Sequence, residues 1–348
     1  MSEGKTDQSG GQSVKFLWDI CGHEPIVDFL KSAVASGKPS HAYIFAGQDG
    51  LGKYAVAEKF ALSLFCSSSE HRPCGECSGC RQALNKVHPD FFLVNRLTDE
   101  KTGKLKREIV IDQVRDLKHR LSQASLLSGY KVAIVRGADD LNTNSANSLL
   151  KLLEEPTKRT VIILIAKDAG NLPKTVASRC QVLQFLPVAT EKISAYLQEK
   201  GTSPERAGRL AHLSLGRPAL AIDWLTNYEG ADNFRKQLEG FYNLAEKNLS
   251  ARLKDFDKLV DFSTDESSNL LKVGELLDIW QVALRDLLLF NSNNERLLAD
   301  QSRSARKVAT TFSWDKIMQT HYRINTCRKL LEGGVSSKNA LENLVIQI

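Results

Sequence analysis

Apolar and polar positions along the chain change rhythm several times, and each change marks an element. Over Pro25–Ala35 the apolar residues Ile26, Phe29, Leu30 and Val34 recur at spacings of three and four, which predicts an amphipathic helix. His41–Ala46 is instead a short continuous apolar run closing on glycines, as a strand buried on both faces and feeding a turn requires. Similar runs follow at Phe91–Val94, Ile109–Ile111, Lys131–Val135, Val161–Ala166 and Val182–Phe185, all rich in β-branched or aromatic side chains. Helix-like stretches separate them. Ala55–Phe65 is one, Gln113–Leu121 is a second with Asp112 as its expected N-cap, and Asn147–Glu155 is a third, stopped by Pro156. Strand alternating with helix predicts an α/β layer on a mostly parallel sheet.

Beyond Pro187 the strand rhythm stops. Thr190–Asn227 reads as a small helical unit broken at Gly201 and Gly216, and the chain from Asn233 onward is helical in period. Its broadest stripe lies in Val273–Phe290, where Leu276, Leu277, Trp280, Ala283, Leu284, Leu287 and Leu288 share one face. Residues 1–14 are rich in Gly, Ser and Gln with nothing to bury, and a disordered tail is expected there. The predicted layout is an α/β domain over 15–188, a helical unit over 189–230 and a helical C-terminal domain over 231–348.

Composition narrows the class. With 348 residues, 42% hydrophobic and 25% charged, the usage is that of an ordinary globular protein and excludes a collagen-like or disordered chain. No apolar run reaches the roughly 18–20 residues a membrane helix needs, and the N-terminus lacks the apolar core of a secretory signal, so a cytoplasmic location is expected. The net charge of +6, from 47 basic against 41 acidic residues, is too mild for an autonomous nucleic-acid binder.

Candidate chemistry starts after the first strand run. Gly47-Gln-Asp-Gly-Leu-Gly52-Lys53-Tyr54 stands between that run and a helix, the context in which GxxxxGK becomes a phosphate loop. Gly47, Gly50 and Gly52 let backbone N–H groups turn around phosphate oxygens, the helix N-terminus adds a positive dipole, and Lys53 reaches the outer phosphates. The position that should hold a Ser or Thr magnesium ligand holds Tyr54, whose hydroxyl lies too far from the backbone. The strand Lys131–Val135, whose tip should carry an acidic pair, runs into Arg136-Gly137. Three readings stay open: an inert scaffold kept for its turn geometry, ATP binding without hydrolysis, and an ATPase with unconventional metal ligands.

Seven cysteines is an odd number, and Cys66, Cys74, Cys77 and Cys80 fall within one short stretch. In a reducing compartment such a cluster speaks for a metal and against a disulfide framework. Four soft ligands satisfy tetrahedral Zn2+ with no open position, so a structural site over 66–80 is expected. An iron–sulfur cluster is the rival, without the further Cys-Pro of ferredoxin-like runs, and unligated thiols are the third reading. Gly75, Glu76, Ser78 and Gly79 offer nothing to grip phosphates or bases, which disfavours a zinc-dependent DNA-binding module. Cys21 and Cys180, beside apolar residues, are expected to be buried small hydrophobes, while Cys327 receives no assignment.

Taken together, HAYIFAGQDGLGK, the four-cysteine insertion at that place, NSLLKLLEEP and NLPKTVASRC closely resemble the bacterial clamp-loader subunits of the AAA+ class. The likeness is dense over about residues 16–188 and thinner beyond, where only the helical character agrees. It implies an AAA+ P-loop core with a small helical lid and an all-helical collar domain that packs with sister subunits in a heteropentamer. That assembly contains ATPase motor subunits and a delta subunit, and it places the sliding clamp on primer-template DNA. The degenerate nucleotide site implies a member that hydrolyses no ATP itself; the alternative is an ATP-binding or ATP-hydrolysing motor. Ser178-Arg179-Cys180 matches the family's SRC motif, which implies that Arg179 is an arginine finger acting on a neighbour's ATP; without the family it reads as a solvated residue after a short helix. Arg217, in Leu215-Gly-Arg-Pro-Ala219, lies near the family's lid arginine, and Lys167-Asp168 replace the polar γ-phosphate sensor expected after Val161–Ala166.

Overall fold

The computed structural model describes residues 14–98, 108–127, 129–292, 298–299 and 303–348. The expected tail at 1–14 lies outside them but for Val14. The chain divides into two compact units, one of residues up to Lys192 with Arg217–Ala219, the other of Ile193–Gly216 with Leu220–Ile348.

In order, the first unit carries β1 (Lys15–Phe16), α1 (Glu24–Ala35), β2 (Ala42–Ala46), α2 (Lys53–Phe65), β3 (His71–Arg72), α3 (Ser78–Leu84) and β4 (Phe91–Val94). There follow α4 (Ile111–Ser122), β5 (Lys131–Arg136), α5 (Thr143–Glu154), β6 (Thr160–Ala166), α6 (Lys174–Ala177) and β7 (Gln181–Gln184). Five strands form one parallel sheet in the order β4, β5, β6, β2, β7, so the chain crosses over helices between neighbours, as parallel pairing demands. The two-residue strands β1 and β3 pair separately, also in parallel.

Both faces of this sheet are covered, which is why its strands read as continuous apolar runs. Tyr43, Phe45, Ile134 and Ile163 point to one face and pack with Leu30, Val56 and Phe60 from α1 and α2. Their alternates Ile44, Ala133, Ile162 and Leu164 meet Leu117, Leu121, Leu149 and Leu153 from α4 and α5 on the other. Each such Leu or Ile, fully removed from water, contributes roughly 1.5–3 kcal/mol before entropy is counted. This is the α/β layer on a parallel sheet that the alternation of strands and helices predicts.

Three expectations change. Ile109–Ile111 is not a strand: Ile109 makes one isolated bridge to Leu141, and Ile111 already opens α4. The run does not form a strand because the helical stripe of Val114, Leu117 and Leu121 extends backward over it and takes Ile111 into α4. The helix N-cap is consequently Val110, whose N–H is taken up by the Gln113 side chain (3.3 Å), and Asp112 sits inside the first turn. Likewise α5 starts before Asn147, because Asn142 accepts the Ser145 N–H (2.9 Å) and the Ser145 hydroxyl donates to the Ile109 carbonyl (2.9 Å).

The described elements of the second unit are all helices: α7 (Thr190–Glu199), α8 (Pro204–Leu213), α9 (Pro218–Thr226), α10 (Tyr228–Ala245), α11 (Leu249–Phe256), α12 (Glu266–Asn291), α13 (Arg303–Thr311), α14 (Trp314–Glu332) and α15 (Ser337–Gln347), the first residues of α7 and α9 belonging to the first unit. Trp280 on α12 is its centre, fully buried with Phe241 at 5.5 Å between rings. Among the described residues no helix is long and apolar enough to cross a membrane.

Candidate functional site

The phosphate loop sits where strand becomes helix. Gly47, Gly50 and Gly52 all have positive φ, and a Cβ at Gly47 would stand 2.6 Å from the Phe185 carbonyl oxygen, so glycine is obligatory there. Lys53 is buried and folds back into its own loop, donating to the Gly47 carbonyl and to that of Gln48 (2.9 Å). Burial lowers its pKa from the ordinary lysine value against the pull of Asp49 and Asp139. Asp49 also pairs with Lys167 (3.3 Å), across the loop from β6.

The two residues that replace the expected magnesium machinery touch each other. The Arg136 guanidinium lies 4.5 Å from the centre of the Tyr54 ring, a cation–π contact joining the tip of β5 to the first turn of α2. The Tyr54 hydroxyl donates to Glu58 (3.1 Å), and burial followed by the Glu58 charge pushes its pKa up to about 12. The carboxylate of Asp139, three residues past β5, accepts the Lys167 N–H (2.6 Å) and an N–H of the Asn171 side-chain amide (3.0 Å). Asp140 is taken up by Arg96 (3.3 Å). On the remaining side the Ala219 N–H donates to the Gly50 carbonyl (2.9 Å), so Arg217 stands two residues from a contact with the loop.

Arg179 follows α6 and remains 36% exposed, at the rim of a shallow depression shared with Ser40, His41, Cys180 and Gln181. One terminal nitrogen donates to the Thr175 carbonyl (2.8 Å), and the other pairs with Glu154 at the end of α5 (2.9 Å). Glu154 was missed in the sequence because only the fold brings these residues together; its place in NSLLKLLEEP, ahead of Pro156, was the available signal. Cys21 is buried as expected, whereas Cys180 is half-buried, with its thiol pushed up to about 12 by burial; Cys327 is buried.

The sulfurs of Cys66, Cys74, Cys77 and Cys80 all lie within 4.8 Å of one another. Cys66 caps the C-terminus of α2 and Cys77 the N-terminus of α3, so two helices and the loop between them bring the set together. The Cys74, Cys77 and Cys80 N–H groups donate to the sulfurs of Cys66, Cys74 and Cys77 at 3.4, 3.3 and 3.4 Å. Although burial opposes it, the Cys80 and Ser67 backbone donors draw the Cys77 thiol down to about 6. Burial raises Cys66 and Cys80. A thiolate-only set with its charge met by backbone donors fits a metal ion. The close approach of α3 to α2 depends on Gly79, since a Cβ there would lie 2.4 Å from the Phe65 carbonyl oxygen. Gly79→Ala is therefore expected to destabilise this unit by roughly 1–3 kcal/mol through overpacking, seen as a lower thermal midpoint.

Residues 22–189 match the protein family described as DNA polymerase III, delta subunit. The chain is 29% identical over 327 residues to DNA polymerase III subunit delta' of Bacillus subtilis, covering 93% of this chain and 95% of that relative. It is 35% identical over 216 residues to subunit delta' of Pseudomonas aeruginosa, covering 61% and 63%. A solved structure of a DNA polymerase III gamma subunit-related protein from Thermotoga maritima superposes with a TM-score of 0.49 at 16% identity, over 92% of this chain and 97% of that one. The likeness to the Bacillus subtilis delta' subunit runs through the sheet and on through the helical half, so it carries more than a shared loop.

Proposed function

We propose that this chain is a non-catalytic subunit of the DNA polymerase III clamp loader. In a heteropentamer of sister subunits it supports ATP-dependent loading of the sliding clamp onto primed DNA and lends Arg179 to a neighbouring ATPase site. The observation that carries the reading is the Tyr54–Arg136 stack. A cation and an aromatic ring occupy the two positions from which a working P-loop site would hold and orient magnesium, and neither offers an oxygen ligand where one is needed. Lys53, bonded to its own loop carbonyls, fits a loop retained for its turn geometry.

Arg179 is the part of the chain suited to chemistry at a neighbour. A guanidinium at a subunit edge can offset the charge that builds on a γ-phosphate as the bond to it breaks, while its own chain needs no nucleotide. In this reading residues 15–188 are the AAA+ core, 189–230 the lid and 231–348 the collar, and Cys66, Cys74, Cys77 and Cys80 hold a structural zinc.

The test is co-purification with the sister subunits and an ATPase assay with and without this chain. The isolated protein is expected to turn over no ATP, and the reconstituted complex to hydrolyse ATP faster with the chain than without it. Turnover by the isolated chain that disappears in Lys53→Ala would instead establish a motor subunit.

A further inference from the structure

We infer that Glu154 is a positioning residue for Arg179, an inference that rests on the finger reading above. Arg179 is a long side chain at a surface, and a free one samples many rotamers, of which few aim the guanidinium in any one direction. Here its orientation is fixed from two elements. The Thr175 carbonyl (2.8 Å) and, more weakly, the Ser178 hydroxyl (3.4 Å) hold one terminal nitrogen from the α6 turn, and the Glu154 carboxylate (2.9 Å) holds the other from the end of α5. The Nε–H has no partner among the described residues. That donor can meet an incoming oxyanion.

A carboxylate beside a finger has an obvious cost, because it cancels part of the charge the finger is there to supply. The exposures decide which effect dominates. Glu154 is 49% exposed and Arg179 36%, so solvent screens their attraction to the strength of a surface pair, and the guanidinium keeps most of its reach for phosphate. The orientational gain is not screened: misplacing a catalytic group by about 1 Å costs up to 10²-fold in rate. Glu154 thus trades a little field for a defined direction, with the anchor set on a 12-residue helix packed against the sheet instead of on a loop.

The experiment is single-turnover and steady-state ATP hydrolysis by the full reconstituted complex carrying Glu154→Ala, Glu154→Gln, Arg179→Ala or the double substitution. Glu154→Ala is expected to lower kcat at the neighbouring site about tenfold with the KM for ATP unchanged. Glu154→Gln, whose amide oxygen can accept the same N–H, should restore most of the rate. In the Arg179→Ala background Glu154→Ala should do nothing further, because there is no guanidinium left to aim. An unchanged rate in Glu154→Ala while Arg179→Ala is slow would overturn the inference and leave the finger standing. An equal loss in both backgrounds would also overturn it, showing a structural role. A fast Arg179→Ala complex would overturn the finger reading, and this inference with it.

Discussion

Replacing Arg179 by alanine is expected to slow ATP hydrolysis at the neighbouring subunit's site by about 10²–10³-fold, with assembly of the complex intact. The size follows from what is lost. What is lost is a preorganised positive group aimed at developing charge, and removing one such group from a reacting site costs about this much. Assembly should survive because the side chain is 36% exposed and its contacts are to Thr175, Ser178 and Glu154 of its own unit. Single-turnover hydrolysis resolves the affected site; steady-state turnover of the whole complex should fall only by that site's share. Unchanged hydrolysis in an assembled Arg179→Ala complex would remove the finger from the proposal.

The second large effect concerns the four thiols. Elemental analysis is expected to find one zinc per chain, and Cys80→Ala or prolonged chelation to strip it. Binding free energies of about 10–16 kcal/mol are typical of small zinc modules that fold only around the metal, and they set the ceiling here. The loss should be smaller, because the Cys66 end of α2 is already fixed by Phe60 and Ala61 in the core. What should unravel is the segment from Cys66 to Leu84, with the parallel pairing of Lys15 and Phe16 to His71 and Arg72. A protease cutting within that segment after chelation, with the thermal midpoint lowered, is the expected result; a metal-free chain with an unchanged midpoint would refute the assignment.

Much of the fold was legible because the sheet is buried on both faces, so that strands such as Ala42–Ala46 and Thr160–Ala166 announce themselves as unbroken apolar runs. Ile109–Ile111 misled for the same reason: three apolar residues look alike whether they pair or begin a helix, and only the backbone decides between them, with Ile109 bonded to Asp140 and Ile111 already inside α4. In the candidate site, the phosphate loop and the cysteine set were legible because their residues lie within a few positions of one another. The Tyr54–Arg136 stack and the Arg179–Glu154 pair were not, since their partners stand on different elements. The role of Asp139 was hidden too: an acidic residue just past β5 could have been a metal ligand, and only its bonds to the Lys167 and Asn171 nitrogens show that it ties two loops together.

Helix α5 connects these places. It starts just after the loop that carries Asp139 and Asp140, and it ends at Glu154. Its 12 residues span roughly 18 Å as a single rod. In a subunit whose own loop opened and closed around nucleotide, such a rod would swing the far guanidinium with every cycle. In this chain the near end is tied down by Arg96, Lys167 and Asn171, and Arg136 beside it is parked on Tyr54. The rod then has no pulse to transmit. In the proposed reading Arg179, which follows α6 and is held at the far end of this rod by Glu154, keeps one position while the subunit it faces sets the timing of the cycle.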